Sequence, residues 1–335
     1  MKKASNIAVV GATGVVGKTF IDLFESNHFL DSKIHLVASR KSKGSEISLR
    51  NSAHSVSSLQ DFDFSKIDLA FFSAGANIAK EYAPRAVKAG CFVVDNSSCF
   101  RRDKNIPLVV PEVNSDALSD YVIPGIVANP NCQTIQMVVA LKPLHDLFVI
   151  NRIDVTTFQA VSGSGKLAQD ELQIQVSQQL KGEKSSPNIF SKQIAFNVLP
   201  HCGEFEKNSY TQEEMKMVWE THRILDPNIE VGATCVRVPV INGHSESVHI
   251  ETSKPINIDS AKECLRKAKG VKLLSEEGSE SYITALEVDG KDSVCVGRLR
   301  KDLWSENRLN LWVVADNLRK GAALNSIQIA ELLFC

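Results

Sequence analysis

The stretch NPNCQTIQ, residues 129–136, places a cysteine between an Asn-Pro-Asn turn and the start of an apolar segment. A thiolate is far more nucleophilic than a thiol, and the pKa of a cysteine falls at a helix N-terminus. Asn131 is a suitable N-cap residue, so we expect Cys132 in the first helical turn, where the helix dipole activates it. The other cysteines lie mostly in apolar strands or helices, as small buried hydrophobes do. The pattern therefore predicts Cys132 as a covalent nucleophile.

A second group that could do chemistry lies in RVPVINGHSESVHIE, residues 237–251. Asn242-Gly243 is a strong signal for a two-residue hairpin. In such a hairpin the two-residue alternation of strands puts Arg237 on the same face as His244. A guanidinium beside an imidazole suits a substrate carboxylate presented to an acid–base group. Taken alone, His244 is equally well explained as a structural or surface histidine.

A glycine-rich turn lies near the N-terminus, in VVGATGVVGK. It places Gly11, Gly14 and Gly17 between an apolar strand and a helix. Small residues there let backbone N–H groups approach a pyrophosphate, whose charge the helix N-terminus favours. The spacing is GxxGxxG rather than the usual GxGxxG of dinucleotide-binding turns, so a purely structural tight turn is the alternative.

The end of the second predicted strand distinguishes between the two nicotinamide cofactors. Proteins that bind NAD usually carry an acid there for the ribose hydroxyls, whereas a 2′-phosphate requires a cation and hydroxyl donors. Here the strand runs into ASRKSKG, which contains Ser39, Arg40, Lys41 and Lys43 and no acid. We therefore expect NADP(H), with Arg40 and Ser39 at the 2′-phosphate. An ordinary solvated basic loop is the alternative.

The elements around these residues indicate an α/β protein. In the first third of the chain, apolar runs such as NIAVVG and CFVVDNSS alternate with amphipathic segments such as AKEYAPRAVKAG. Strands that are apolar on both faces are typical of a doubly wound parallel sheet covered by helices. From about residue 151 the pattern becomes strand-rich with long connections, which indicates an α+β domain, and a final helix returns to the first domain. The predicted domains are residues 1–131 with 316–335, and residues 132–315.

The composition excludes several classes of protein. A chain of 335 residues with 43% hydrophobic content can bury two cores, and a net charge of −1 gives no field for nucleic acid or membrane. The N-terminus does not read as a signal peptide, and no stretch approaches the length of a membrane span. No CxxC pair or companion histidine suits a metal, so we expect no metal site. A reduced, cytoplasmic protein with free thiols is the simplest interpretation.

Seven segments, in order along nearly the whole chain, resemble the aspartate-semialdehyde dehydrogenase family: GATGVVG, DNSSCFR, NPNCQTIQ, QAVSGSG, EEMK, RVPVINGHSES and DNLRKGAALNSIQIAE. Their joint occurrence makes a chance match improbable. The resemblance implies a Rossmann-like NADP-binding domain, a catalytic and dimerisation domain, and a homodimer. It also implies roles for individual residues.

In this family, Cys132 matches the acyl-thioester cysteine, His244 the acid–base histidine and Gln159 a glutamine that positions the substrate. Arg237 matches the arginine at the substrate carboxylate, and Glu213 the glutamate at its amino group. The residues that match the phosphate-binding pair are Arg101 and Lys216. The residues that match positions around NADP are Thr13, Gly14, Val15, Val16, Ser162, Gly163 and Asn317.

Three points stay open at the level of sequence. Glu213 and Lys216 are three residues apart on a predicted helix, where a plain surface ion pair is common. Arg102 lies beside Arg101, and the sequence does not say which of them turns inward. Gln133 departs from the family, in which Ser or Thr commonly follows the cysteine.

The resemblance implies NADPH-dependent reduction of L-aspartyl 4-phosphate to L-aspartate 4-semialdehyde, in the biosynthesis of lysine, threonine, methionine and isoleucine and of diaminopimelate. The first alternative is an N-acetyl-gamma-glutamyl-phosphate reductase, which has similar cysteine–histidine chemistry. Glu213 separates the two, because an acetylated amine needs no carboxylate partner. A non-catalytic NADP-binding regulator is the second alternative, and it would need none of Cys132, Gln159, Arg237 and His244.

Overall fold

A computed structural model describes residues 3–26, 28–119, 121–275 and 278–334, so the extreme ends of the predicted first domain lie outside the described residues. The chain forms two compact units, one of residues 1–130 with 322–335 and one of residues 131–321. The sequence-based domains instead divide after residues 131 and 315. Residues 316–321 group with the second unit, where the Asp316 carboxylate accepts the N–H groups of Gly290 and Leu318, each at 2.8 Å.

The first unit contains a parallel sheet in the order β5-β2-β1-β6-β7-β8, with a separate hairpin β3-β4, in the described part of the chain. Its strands are β1 Asn6–Val10, β2 Lys33–Ala38, β3 Glu46–Leu49, β4 Ser52–Ser55, β5 Ser57–Ser58, β6 Leu69–Phe72, β7 Phe92–Asp95 and β8 Ile126–Ala128. Its helices are α1 Val15–Ser26, α2 Ala76–Lys88, α3 Pro111–Asn114 and α9 Leu324–Phe334.

Alternate residues of the central strands enter two different cores. Ile7 of β1 and Phe71 of β6 pack with α1 and α9 on one face, whereas Val10 and Phe72 pack with α2 on the other. The Phe20 ring lies 4.7 Å from that of Phe71, centroid to centroid. Because helices cover both faces, the central strands are apolar along most of their length, and the predicted doubly wound sheet is confirmed.

The second unit contains a mixed sheet in the order β10-β9-β11-β14-β13-β12. Its strands are β9 Ile150–Gln159, β10 Glu230–Arg237, β11 His244–Thr252, β12 Val271–Leu273, β13 Val294–Lys301 and β14 Arg308–Ala315. Its helices are α4 Cys132–Phe148, α5 Lys166–Leu180, α6 Gln212–Ile224, α7 Ile258–Lys267 and α8 Ala285–Val288. Buried and open residues alternate along β9, so one sheet face is covered and the other stays open.

The predicted hairpin between the strands on either side of Asn242-Gly243 is wrong. β10 pairs with β9 in parallel, and β11 pairs with β9 and β14, so β9 lies between β10 and β11. The segment from Val238 to Gly243 therefore crosses over the end of β9 instead of forming a two-residue turn. Gly243 does have a positive φ of 86°, as the turn signal suggested, but the chain turns across a strand.

Helix α4 begins and ends where its own residues dictate. Asn131 is its N-cap, with φ −64° and ψ 143°, and Cys132 is its first residue, which confirms the predicted helix start. The helix ends because Val149 adopts a left-handed conformation with φ 59°. The predicted apolar stripe, which includes Ile135 and Val139, is buried. Burial on nearly all sides of α4 makes it a fixed support for its first turn.

Candidate active site

The first turn of α4 is bonded to α6 through Asn131. The Asn131 Oδ1 atom accepts the N–H of Gln133 at 3.1 Å, and its Nδ2 atom donates to Glu213 Oε1 at 2.6 Å. The backbone N–H of Asn131 donates to Glu220 Oε2 at 2.6 Å. One asparagine thus caps the helix that begins with Cys132 and also binds two carboxylates of α6.

The Cys132 thiol is half-buried and has close neighbours on two sides. Its Sγ atom donates to Gln133 Oε1 at 3.2 Å. A Cβ atom added to Gly321 would lie 2.9 Å from the Cys132 Cβ, so only glycine fits there. The cysteine is therefore held at a defined position while part of its surface stays accessible.

Glu213 and Lys216 form a mostly enclosed ion pair. The Lys216 Nζ atom lies 2.7 Å from Glu213 Oε2, and the side chains are 24% and 15% exposed, which makes a plain surface pair a poor description. Burial raises the pKa of Glu213, but the Lys216 ammonium and the Asn131 amide outweigh that effect, so this pKa lies below its ordinary value. Glu213 is consequently a carboxylate at neutral pH.

Three predicted residues meet at one edge of the second sheet. Arg237 and Gln159 are register partners at the carboxyl ends of the parallel strands β10 and β9, and His244 opens the antiparallel strand β11 beside them. A Cβ atom on Gly163 would lie 3.1 Å from Arg237 Nη1 and 3.4 Å from His244 Nε2. The pairing is not the hairpin that the sequence suggested, yet Arg237 and His244 still converge, because β9 brings both to its own end.

His244 is fully buried and has a defined tautomer. Its Nδ1 atom accepts the N–H of Ala160 at 3.0 Å, so the proton of the neutral ring lies on Nε2. The Nε2 atom has no hydrogen-bond partner among the described residues. Burial, aided by the Arg237 guanidinium, lowers the pKa of His244 to about 3. The neutral ring thus presents an unpaired N–H donor, as an acid for a developing oxyanion would.

The two side chains beside His244 are held by neighbouring polar groups. Arg237 Nη1 donates to the carbonyl oxygen of Ala160 at 2.7 Å, and the residue is 7% exposed. Gln159 Nε2 donates to Thr157 Oγ1 at 3.1 Å, and its Oε1 atom is buried with no partner in the described part of the chain. Unpaired buried polar atoms are rare in folded proteins, so Gln159 Oε1 and His244 Nε2 together indicate the place of a ligand.

Comparison with known proteins identifies the family. The model described as "Semialdehyde dehydrogenase, NAD binding domain" matches residues 6–121, and "Semialdehyde dehydrogenase, dimerisation domain" matches residues 141–320. An aspartate-semialdehyde dehydrogenase of Legionella pneumophila is 52% identical, over 99% of this chain and 96% of that protein. The chain belongs to the aspartate-semialdehyde dehydrogenase family.

Two solved structures of aspartate-semialdehyde dehydrogenases extend the comparison. Enzyme II of Vibrio cholerae, complexed with ASA, is 46% identical with a TM-score of 0.95, over 99% of this chain and 98% of that one. The enzyme of Candida albicans, with NADP, is 26% identical with a TM-score of 0.76, over the same shares of the two chains. The family resemblance inferred from the motifs is therefore confirmed.

The glycine turn of this aspartate-semialdehyde dehydrogenase family member fits a nicotinamide dinucleotide. Gly11 has φ +94°, and a Cβ there would lie 2.8 Å from Ser73 O; a Cβ on Gly17 would lie 2.2 Å from Gly11 O. The turn leads directly into α1, whose first turn contains no acidic side chain. Backbone N–H groups of a first helical turn lack intrahelical acceptors, so Val15 and Val16 present donors suited to a pyrophosphate.

An acidic residue lies close to the basic loop after β2, and the sequence did not reveal it. Ser39 precedes a short 3₁₀ helix, Arg40–Ser42, and is exposed. Arg40 Nη2 and Lys43 Nζ each lie 3.5 Å from a carboxylate oxygen of Asp61, and the Arg40 side chain is 71% exposed. Asp61 comes from a different segment, so an acid does accompany the cations that we associate with a 2′-phosphate.

Arg101 turns inward in the first unit, whereas Arg102 is exposed. Arg101 Nε donates to Asn129 O at 2.8 Å and Nη2 to Asn96 O at 2.9 Å, with 6% of the residue exposed. Two backbone carbonyls therefore fix its guanidinium, as an anion-binding arginine requires.

Ser162 and Asn317, both predicted near the cofactor, are bonded to each other in the second unit. Asn317 Nδ2 donates to Ser162 Oγ at 2.9 Å, and Asn317 Oδ1 accepts the N–H of Gly243 at 2.8 Å. This pair therefore also anchors the chain immediately before His244.

Sequence reasoning missed the polar residues beneath His244. Gln136 Nε2 donates to the His244 carbonyl at 3.3 Å, and the Glu246 carboxyl is fully buried, which raises its pKa well above the ordinary value. Two signals could have found them: Gln136 lies one helical turn beyond Cys132, and Glu246 shares the face of His244 by strand alternation.

The described residues were also searched for two other features. They contain no group of three or more His, Cys, Asp or Glu side chains placed to bind a metal ion. None of the helices within the described ranges combines the length and apolarity that a bilayer-spanning segment needs.

Proposed function

We propose that this protein catalyses the NADPH-dependent reductive dephosphorylation of L-aspartyl 4-phosphate to L-aspartate 4-semialdehyde, and the reverse phosphorylating oxidation. The observation that carries this proposal is the bonding of the first turn of α4. That turn presents Cys132, its cap Asn131 binds Glu213, and Gln136, one turn further along α4, binds the backbone of His244. A nucleophile, a carboxylate and an acid–base group are thereby held on one support, and relatives named for this activity cover the chain.

In the biosynthetic direction, the Cys132 thiolate attacks the acyl carbon of L-aspartyl 4-phosphate. A carbon–sulfur bond forms, the carbon–oxygen bond to phosphate breaks, and phosphate leaves from an acyl-thioester. When bound, the nicotinamide cofactor supplies the hydride that reduces this thioester. The resulting thiohemiacetal collapses, which releases the aldehyde and returns the thiolate. Dividing one difficult displacement between two steps is the advantage of a covalent nucleophile.

His244 acts at the carbonyl oxygen of these tetrahedral species. Its Nε2–H donates a hydrogen bond to that oxygen as negative charge develops, and this bond stabilises the oxyanion until the tetrahedral species collapses. The Ala160 N–H bond to Nδ1 keeps this proton on Nε2, the ring nitrogen that has no partner among the described residues. Gln159, at the same sheet edge, positions the substrate through its unpaired Oε1 atom.

The charged groups match the charges of the substrate. Arg237, buried beside His244, binds the α-carboxylate. Glu213, whose lowered pKa keeps it ionised, binds the ammonium group. Arg101 and Lys216 receive the phosphate. Lys216 Nζ donates to Glu213 Oε2 at 2.7 Å. The substrate phosphate, which Lys216 binds, and the substrate ammonium, which Glu213 binds, therefore each compete with this ion pair.

The proposed cofactor is NADP(H). Its pyrophosphate lies on the turn from Gly11 to Gly14 and on the N–H groups of Val15 and Val16, with Thr13 beside it. Its 2′-phosphate lies at Ser39 and Arg40. In the second unit, Ser162, Gly163 and Asn317 complete the set of residues that hold it. Support comes from the glycine geometry and from a related structure named with NADP.

We further propose a homodimer formed through the open face of the second sheet. That face holds a cavity of about 530 Å³ lined by Phe158, Trp312 and Tyr282, among others. The family model that matches this part of the chain is described as a dimerisation domain. Light scattering of the protein and of Trp312→Glu tests the interface. A dimer that the charge converts to monomer supports it, and an unchanged dimer contradicts it.

An N-acetyl-gamma-glutamyl-phosphate reductase is disfavoured because Glu213 is kept ionised, which suits a free ammonium. The combination of Cys132, Gln159, Arg237 and His244 likewise disfavours a non-catalytic regulator, which would need none of them. We place the reaction in the cytoplasm, in the pathway that supplies lysine, threonine, methionine, isoleucine and diaminopimelate.

The deciding assay follows NADP+ reduction by L-aspartate 4-semialdehyde, with and without phosphate, on the protein and on Cys132→Ala. We expect phosphate-dependent reduction that the alanine variant loses. Activity without phosphate, or full activity of Cys132→Ala, contradicts the mechanism. N-acetyl-L-glutamate 5-semialdehyde in the same assay tests the alternative substrate and should give no reduction.

Arg40→Glu tests the cofactor site. Because the exposed Arg40 side chain is assigned to the 2′-phosphate, the apparent KM should rise much more for NADPH than for NADH. The matched control Asp61→Asn removes the opposing carboxylate and should lower the KM for NADPH. Equal effects of Arg40→Glu on the two cofactors mean that the 2′-phosphate lies elsewhere.

A further inference from the structure

Gln133 is a polar side chain folded back onto the nucleophile. It is only 1% exposed, and its Oε1 atom lies 3.2 Å from Cys132 Sγ. Its own backbone N–H is already bonded to Asn131 Oδ1 at 3.1 Å. The cap of α4 therefore uses the backbone donor that follows the cysteine, and the Gln133 side chain supplies a polar group beside the sulfur.

We propose that Gln133 is a positioning residue that stabilises the Cys132 thiolate through its side-chain amide. In the thiol form, the S–H donates to Oε1, as in the structure. When the proton leaves, rotation about the Cγ–Cδ bond brings Nε2 to the same place, and this N–H donates to the thiolate. The terminal torsion of glutamine is broad and two-fold, so the two orientations are close in energy. The proposal rests on Cys132 as the nucleophile of the proposed function.

The Nε2–H bond to the thiolate is stronger than the S–H bond to Oε1, and this difference stabilises the thiolate relative to the thiol. A bond to an ionised partner is about twice as strong as a neutral one, and S–H is a weak donor. Burial of Gln133 strengthens the difference, because little water competes for the amide. Gly321 also lies close to Cys132, since a Cβ atom added there would come within 2.9 Å of the Cys132 Cβ. The Gln133 amide stabilises the thiolate in addition to the dipole of α4. That dipole is the same in every variant at position 133.

This role requires a side chain at position 133 that can both donate and accept a hydrogen bond. A hydroxyl and an amide each combine a donor with an acceptor, whereas an aliphatic side chain has neither. In the proposed cycle, the thiolate is both the attacking and the leaving group. Stabilising it therefore affects collapse of the thiohemiacetal as well as the population of the nucleophile.

The test is the pH dependence of iodoacetamide alkylation of Cys132 in the protein without substrate or cofactor. Cys132→Ala gives the background from the other thiols, among which burial raises the pKa of Cys91 to about 12 and of Cys202 to about 11. We expect Gln133→Leu to slow alkylation at pH 7 about tenfold, which corresponds to one pKa unit. The rate at high pH, where every variant is ionised, should not change.

Gln133→Ser and Gln133→Glu are the matched variants. The serine retains a donor and should stay within about threefold of the wild-type rate. The glutamate keeps the shape but has no donor and adds a charge, so it should be slowed at least as much as leucine. Wild-type alkylation at pH 7 in both Gln133→Leu and Gln133→Glu would falsify the proposal. Because alkylation needs no turnover, it remains readable even if the semialdehyde assay shows no activity.

Discussion

Helices α1 and α4 begin in opposite ways. Helix α1 follows a glycine turn, has no acid in its first turn, and offers its first N–H groups to a ligand. Helix α4 is capped by Asn131, bonded to Glu213 and Glu220, and offers a cysteine instead. The N-terminus of α1 is formed by backbone groups of one short segment. The N-terminus of α4 is held by buried side chains that come from distant segments.

The difference has two physical consequences. A site made of backbone is sensitive to any atom added to its glycines but contains no group that titrates near neutral pH. A site made of buried side chains depends in addition on hydrogen-bond partners and on protonation. The predictions below test these sensitivities separately.

Gly17→Ala should have the largest effect. Its Cβ would lie 2.2 Å from the Gly11 carbonyl oxygen, so backbone must move. We expect a loss of roughly 3 kcal/mol of stability and of cofactor binding. Gly90→Ala is the control for backbone strain alone, because Gly90 has a positive φ of +93° and nothing lies within 4 Å of a Cβ added there. For Gly90→Ala, calorimetry should show lower stability from backbone strain, and titration should show unchanged NADPH binding. Normal NADPH binding by Gly17→Ala would contradict the role of this turn in cofactor binding.

Acid should destabilise the second unit. The pKa of His244 is lowered to about 3, below the ordinary 6.5, so between these values the unfolded chain binds a proton that the folded one does not. Stability therefore falls as the pH drops below 6.5, by about 3 kcal/mol at pH 4 from this residue. Urea unfolding followed by fluorescence of the tryptophans, which all lie in residues 131–321, measures it. The difference in the free energy of unfolding between pH 7 and pH 4 should be smaller by that amount in His244→Gln. An unchanged difference would refute the lowered pKa of His244.

Asn131→Ala should cost about 2 kcal/mol, from the lost cap and the lost partner of Glu213, and should lower kcat about 100-fold through misplacement of Cys132. Asn131→Ser keeps a cap but cannot replace the amide bond to Glu213. It should recover about 1 kcal/mol of stability while kcat stays low. Full recovery of both quantities by serine would mean that the bond to Glu213 is irrelevant.

Glu246→Gln should have the smallest effect, and it should stabilise the protein. The pKa of Glu246 is raised in the folded state, so above the ordinary value of 4.5 the unfolded chain ionises while the folded one does not, and stability falls as pH rises. Removing the carboxyl should raise Tm at pH 8 by about 2–4 °C per kcal/mol recovered, with little change at pH 4.5. A lower Tm at pH 8 would show that Glu246 is ionised and paired.

The contrast between a site made of backbone and a site made of buried side chains also separates what could be predicted from sequence from what could not. The glycine turn, the alternation of strands and helices in the first unit, and the cap at Asn131 depend on neighbouring residues, so local patterns sufficed. The meeting of Arg237 with His244 was expected for the wrong reason. A turn signal at Asn242-Gly243 reports a local bend, but it cannot report that β9 lies between the two strands.

The residues that were missed depend on tertiary contacts. Asp61 approaches Arg40 from a separate segment, and the Glu246 carboxyl is fully buried with no hydrogen-bond partner within the part of the chain that the structure describes. No spacing in the sequence records either arrangement. The inward turn of Arg101 likewise depends on the carbonyl groups of Asn96 and Asn129.

The central claim is that Cys132 carries the acyl group. The most direct measurement is mass spectrometry of the protein incubated with NADP+ and L-aspartate 4-semialdehyde in the absence of phosphate, which prevents release of the thioester. We predict one aspartyl adduct per chain, on the peptide that contains Cys132, that disappears when phosphate is added. Reduction of NADP+ with no adduct, or with an adduct on a different residue, would contradict it.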